Sequence, residues 1–290
     1  MNNKIALPKK ISLIFLTIIL IIVVISLLPT TFITNIQAQI YEDEYYDEGY
    51  YNYKEDNRYG YDNKHLEKDQ KLKIFPNNKV SELGDRWSQW TFGIDISIIN
   101  PFTEDLGQEG CDVGLQDNGR ILFLAGAPRD PKTGDFPLHE CEVKEGTSIL
   151  IPILNVICND LVVGSPLFGA NEQDQRICAN NVITDATLFD NLEVNIDGIE
   201  IQNLEKFRID SPAGGFEFTS VPNNVFNTPV GDGNGVSDGF WILLKNLNPG
   251  KHTISFNGAL DLDEIPPLMG LYEAGATYVL YVEPIYYWQQ

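Results

Sequence analysis

Asp232-Gly233-Asn234-Gly235-Val236-Ser237-Asp238 places four oxygen-bearing side chains within one short glycine-rich stretch. Carboxylate and amide oxygens separated by flexible residues suit calcium, which takes about six to eight oxygen ligands. Asp232, Asn234 and Asp238 are therefore candidate ligands. The stretch is not an EF-hand, because Leu243 stands where the closing glutamate would be. Asp, Asn and Gly are equally the material of ordinary turns, so a calcium loop and a plain turn both fit.

The same stretch contains Gly235-Val236-Ser237-Asp238-Gly239, which reads as G-x-S-x-G. A nucleophile elbow needs a strand before the serine and a helix after it. Here glycines precede Ser237 and a strand-like run follows, so the setting is wrong for an elbow. Histidine is scarce, with only His65, His139 and His252. His-rich metal oxidase sites need more imidazoles than that, and His252, just after a turn, fits a backbone-bonding role at a strand start. Glycoside hydrolysis would need two carboxylates held at a defined separation, which sequence cannot pick out among 41 acids. No residue is assigned a catalytic role. Trp87, Trp90 and Trp241 can serve either as an aromatic platform for a ligand or as large core residues.

The four cysteines are Cys111, Cys141, Cys158 and Cys178. None forms the close C-x-x-C knuckle of a zinc site. In an oxidising compartment they pair as disulfides, and nearest-neighbour pairing, Cys111–Cys141 and Cys158–Cys178, closes modest loops.

That compartment is read from the front of the chain. Lys4, Lys9 and Lys10 precede an apolar stretch from Ile11 to Leu28, and acidic residues follow from Glu42 onward. A basic end, hydrocarbon, then acid is the layout of an exported chain. Residues 1–39 are a signal peptide cleaved near Ala38 or Gln39, or else an N-terminal membrane anchor. The formal charge is −21, from 20 basic and 41 acidic residues. Such a field repels nucleic acid. Membrane contact is expected only through the N-terminal segment.

Residues 40–73 carry eight tyrosines among Asp, Glu and Asn, with few aliphatic side chains. That composition predicts a disordered acidic spacer. Residues 74–290 have globular texture. Leu192–Ile196 and Ile199–Ile201 alternate on either side of Asp197-Gly198, the signature of a tight hairpin. Phe240–Leu244 and His252–Phe256 flank Asn248-Pro249-Gly250, which predicts a second hairpin. Thr277–Val282, Ile121–Leu124 and Ile149–Ile157 are further strands, with Pro152 placing an edge or a bulge in the last. One short helix is expected over Ser81–Trp90, capped by Ser81. The fold class is all-β, a β-sandwich with a jelly-roll arrangement as one form of it.

The succession Trp87-Ser88-Gln89-Trp90, Asn100-Pro101, Gly110-Cys111, Phe123-Leu124-Ala125-Gly126, Cys141 and Pro249-Gly250-Lys251-His252-Thr253-Ile254 resembles a family of uncharacterised exported bacterial and archaeal proteins. The resemblance implies one exported domain and transfers no activity. Two functions fit these observations. One is a non-catalytic extracellular or cell-envelope binding or structural module, the other an exported polysaccharide or peptide hydrolase using acidic residues. The missing catalytic devices favour the module.

Overall fold

The run Ile149–Ile157 lies at the centre of the computed structural model, every residue of it buried. The structure describes residues 73–74, 77–103, 107–245 and 247–285. The expected signal or anchor, and all of the acidic spacer but Lys73, lie outside these residues.

In chain order the elements are β1 (Lys73–Ile74), α1 (Asn77–Phe92), α2 (Gln108–Gly114), β2 (Leu115–Gln116), β3 (Ile121–Phe123) and β4 (Leu138–Lys144). They continue with β5 (Ser148–Asn159), α3 (Glu172–Ala186), β6 (Glu193–Ile196), β7 (Ile199–Glu200), β8 (Arg208–Asp210) and β9 (Phe216–Ser220). The last three are β10 (Gly231–Lys245), β11 (Gly250–Asp261) and β12 (Leu271–Glu283).

The strands form two sheets. One has the order β1-β10-β5-β3-β2, with β8 and β9 also pairing to β10, and the other β4-β12-β11-β6-β7. The protein is thus mostly β, but both sheets are mixed. β3 runs parallel to β5, and β4 parallel to β12. The parallel pairings set these sheets apart from a jelly roll, one form of the expected β-sandwich, and three helices among the described residues accompany them where one was expected.

β5 is buried on both sides because each face meets a different layer. Ile149, Ile151 and Ile153 join a cluster with Val194, Ile254, Phe256 and Leu280 of the second sheet and with Ala179, Val182 and Ile183 of α3. Leu150 joins another cluster with Trp241, Leu243 and the α1 residues Val80, Leu83 and Trp87. Pro152 stands opposite Trp241, beside the register shift between Ser237 and Trp241. The proline is thus at a bulge in an interior strand, not at an edge.

Asp197 and Gly198 both take positive φ, 53° and 85°, and join β6 to β7 as the alternation predicts. The second expected hairpin is corrected. β10 and β11 are consecutive, yet β10 pairs with β5, β8 and β9 while β11 pairs with β6 and β12. Asn248-Pro249-Gly250 therefore carries the chain from one sheet to the other. The short helix is longer than expected, and Ser81 lies inside it, donating to the Asp210 carbonyl at 2.7 Å instead of capping.

α3 was not anticipated at all. Asn171 caps it, accepting from the Asp174 amide at 3.0 Å, and its amide returns a bond to the Asp174 carboxylate. Asn-x-x-Asp with Glu172 in the first turn was a readable start signal. The β-branched run Val182-Ile183-Thr184 weakens the local helix preference.

Cys111–Cys141 and Cys158–Cys178 are disulfides, with Cα atoms 5.7 and 6.2 Å apart. The second ties β5 to α3. Restricting the unfolded chain over this loop is worth about 3 kcal/mol. Replacing Cys158 and Cys178 together by alanine is expected to lower the urea-unfolding free energy by that amount. A loss below about 1 kcal/mol would show that loop closure is not what this bridge supplies.

Candidate functional site

Three elements converge on one charged cavity of about 500 Å³, lined by Arg176, Asn180 and Asn181 of α3, Arg208 and Asp210 of β8, and Asp238 of β10. Helical spacing puts Arg176 and Asn180 on one face of α3. Antiparallel register puts Asp210 directly opposite Asp238, with Arg208 opposite Phe240. Like charges facing each other across a strand pair are unfavourable, and the arginines answer them. Arg176 Nη1 bonds Asp210 Oδ2, and Arg208 Nε lies 3.6 Å from Asp238 Oδ1.

Arg176 is also anchored to backbone, donating to the carbonyls of Ser211 at 2.8 Å and Pro212 at 2.6 Å, and it pairs with Glu172 at 2.8 Å. Arg208 Nη2 donates to Thr184 Oγ1 at 3.0 Å. Three enclosed atoms have no hydrogen-bond partner among the described residues: Arg208 Nε, Asp210 Oδ1 and Asp238 Oδ1.

Behind the cavity runs a buried polar stripe of α1, Ser81, Asp85 and Ser88. Ser211 Oγ donates to Asp85 Oδ1 at 2.5 Å and accepts from the Ser237 amide at 2.9 Å. Burial pushes the Asp85 carboxyl up to about 7, although the Ser211 bond and the Arg176 charge pull the other way. Burial likewise raises Asp210 and carries Asp238 well above the usual carboxylate range, against the attraction of Arg176 and Arg208 respectively. Burial also lowers Arg208. Both members of the Arg208–Asp238 pair are thus displaced toward neutrality, the behaviour of a pair whose desolvation outweighs its attraction.

The structure does not bring the three expected calcium ligands together. They lie along extended β10, where Asp232 and Asp238 are separated by roughly 20 Å at about 3.3 Å per residue. Asp232 accepts from Thr219 at 2.7 Å, Asn234 is bonded to Asp160 at 2.9 Å, and Asp238 is buried in the charged cavity. The glycines serve a strand rather than a loop. A Cβ at Gly233 or Gly235 would come within 2.8 or 2.9 Å of neighbouring side chains. Among the described residues no group of three or more His, Cys, Asp or Glu is arranged to hold a metal ion.

The tryptophan platform is also corrected. Trp87 and Trp241 are buried and meet edge to face at 5.4 Å. Trp87 Nε1 donates to the Leu124 carbonyl at 2.7 Å, and the partly buried Trp90 donates to that of Val113 at 2.9 Å. These rings are core. Ser237 is fully buried inside β10, with strand on both sides.

His252 does bond backbone at a strand start, Nε2 to the Asn248 carbonyl at 2.8 Å, and its Nδ1 meets Asp197 Oδ2 at 2.7 Å. Both partners are acceptors, so both ring nitrogens carry hydrogen. Burial opposes that charge, but the bonds to Asp197 and Asn248 prevail and raise the imidazole above its usual value. The result fastens the β6–β7 turn to β11.

No family model, no curated protein and no solved structure matches this chain. The two disulfides fit an oxidising compartment. No helix among the described residues is long and apolar enough to cross a membrane.

Proposed function

We propose that the domain is a non-catalytic binding module of the extracellular space or cell envelope, built as a β-sandwich whose sheets face each other across the shared core. The acidic N-terminal tract holds it away from the membrane, and the charged cavity is its ligand site. The observation that carries this reading is the pairing of each cavity carboxylate with an arginine, Asp210 with Arg176 and Asp238 with Arg208. Carboxylates fixed this way orient a ligand by hydrogen bonds, whereas acid–base work needs a proton-transfer path to the reacting atom. The disulfides and the resemblance to exported proteins support the location.

A second reading rests on one observation, the opposition of Asp210 and Asp238 across β8 and β10. Two acids at cross-strand distance in a cavity are the raw material of a retaining glycosidase. A turnover screen of the full chain against polysaccharide, ester and peptide substrates separates the two. No turnover is expected. Turnover lost in Asp210→Asn or Asp238→Asn, with circular dichroism unchanged, would overturn the module reading in favour of the hydrolase.

A further inference from the structure

We propose that the cavity between α3 and strands β8 and β10 takes a neutral, hydroxyl-rich ligand, a saccharide. This rests on the module reading and goes beyond it by naming the ligand class.

Charge is the first argument. The lining carries two guanidiniums and two carboxylates, Arg176 and Arg208 against Asp210 and Asp238. Their formal charges cancel, so a small cation or anion entering this partly buried site would bring a charge that the lining does not complement. A neutral polar ligand avoids that cost.

Hydrogen-bonding capacity is the second. Asp238 is 3% exposed and Arg208 9% exposed, and both line the cavity. Asp238 Oδ1 and Arg208 Nε lack a hydrogen-bond partner, as does Asp210 Oδ1. Leaving such groups unmade is costly. The set needs donors for two oxygens and an acceptor for one nitrogen. A hydroxyl supplies both roles at once, and adjacent hydroxyls supply them in pairs. The three atoms are enclosed, so a ligand engages them only as the neighbouring side chains shift.

The mouth completes the case. Asn180 and Asn181 are exposed on α3, each offering a donor and an acceptor from a planar amide. Ile177, also lining the cavity, is 52% exposed, and Val236 forms part of the wall. Apolar surface beside planar polar groups matches the two aspects of a pyranose, its C–H face and its hydroxyl edge. The volume of about 500 Å³ falls within the range of small-ligand pockets.

The test is a calorimetric and NMR titration of the full chain, kept free of sugar-based detergents. The probes are glucose, galactose, mannose, N-acetylglucosamine and their disaccharides, with glycine, lysine and citrate in parallel. At least one neutral saccharide is expected to bind. Affinity should fall tenfold or more in Asp238→Asn and in the rim variant Asn180→Ala/Asn181→Ala. The rim variant leaves the buried charges in place, so its melting temperature should match the parent and its result stands even where Asp238→Asn fails to fold. Binding by no saccharide, binding untouched by the rim variant, or tighter binding of lysine, glycine or citrate would each overturn the inference. Turnover of the bound saccharide would instead overturn the non-catalytic reading and leave the ligand class intact.

Discussion

Replacing Arg208 by methionine is expected to cost about 3–5 kcal/mol of unfolding free energy at pH 7, the usual effect of removing one partner of a buried ion pair. Arg208 and Asp238 are both buried, and the guanidinium lies 3.6 Å from the Asp238 carboxylate. Without it, the carboxyl faces Asp210 directly across the strand pair. Asp238 can respond by holding a proton, so the cost should grow as pH rises. The reverse experiment separates charge from packing. Adding Asp238→Asn to Arg208→Met removes the stranded charge and should restore more than half of the loss, because replacing a buried pair by neutral residues of similar volume is often close to neutral. Urea melts of the two single variants and the double variant give the coupling. If Arg208→Met costs under about 1 kcal/mol, the pair is solvated and not the buried contact described.

Where the fold was legible, local chemistry decided it. Asp197-Gly198 forces its turn because both residues must take positive φ, and the paired cysteines follow from compartment and spacing. Where reading failed, a distant partner decided. Phe240–Leu244 and His252–Phe256 are strands as their residues demand, but which sheet each joins depends on β5 and β12, far away in sequence. Trp87 and Trp241 look alike as platform and as core until α1 is laid on the sheet.

The charged cavity was the least legible feature. Asp238 was noticed, but with Asp232 and Asn234, its neighbours in sequence. Its neighbours in space are Asp210, set opposite by the β8–β10 register, and Arg208, whose pairing partner cannot be chosen from 41 acids by composition. α3, which brings Arg176, carried a readable cap at Asn171. That cap was the one local signal that could have led to the site.

Stability is expected to fall as pH rises from about 4 to about 7, and Asp85 is one of the buried carboxyls that drive the fall. In the folded protein burial raises this carboxyl from its ordinary 3.8 to about 7. Between those two values the folded state holds a proton that the unfolded chain has released. Stability then decreases with rising pH, since it follows the difference in protons bound by the unfolded and folded states. The interval corresponds to about 4 kcal/mol at most. Asp238 and Asp210, also raised by burial, act in the same sense. His252 contributes stability that is complete below its ordinary value of 6.5 and is lost only as pH passes its raised folded value, so it acts later in the titration. The exposed carboxyls of Asp95, Asp117 and Glu172 are held low by their hydrogen-bond partners, so their stability is lost only as pH falls below the ordinary carboxylate range. Asp85→Asn isolates its contribution. It keeps an acceptor for Ser211 and removes the proton from the balance, so the variant should be more stable than the parent at pH 7 and show a shallower slope between pH 5 and 7. Guanidinium melts across pH 4 to 8 for parent and variant decide it, and an unchanged slope in the variant would mean that the Asp85 carboxyl is ionised in place, with Ser211 and Arg176 outweighing its burial.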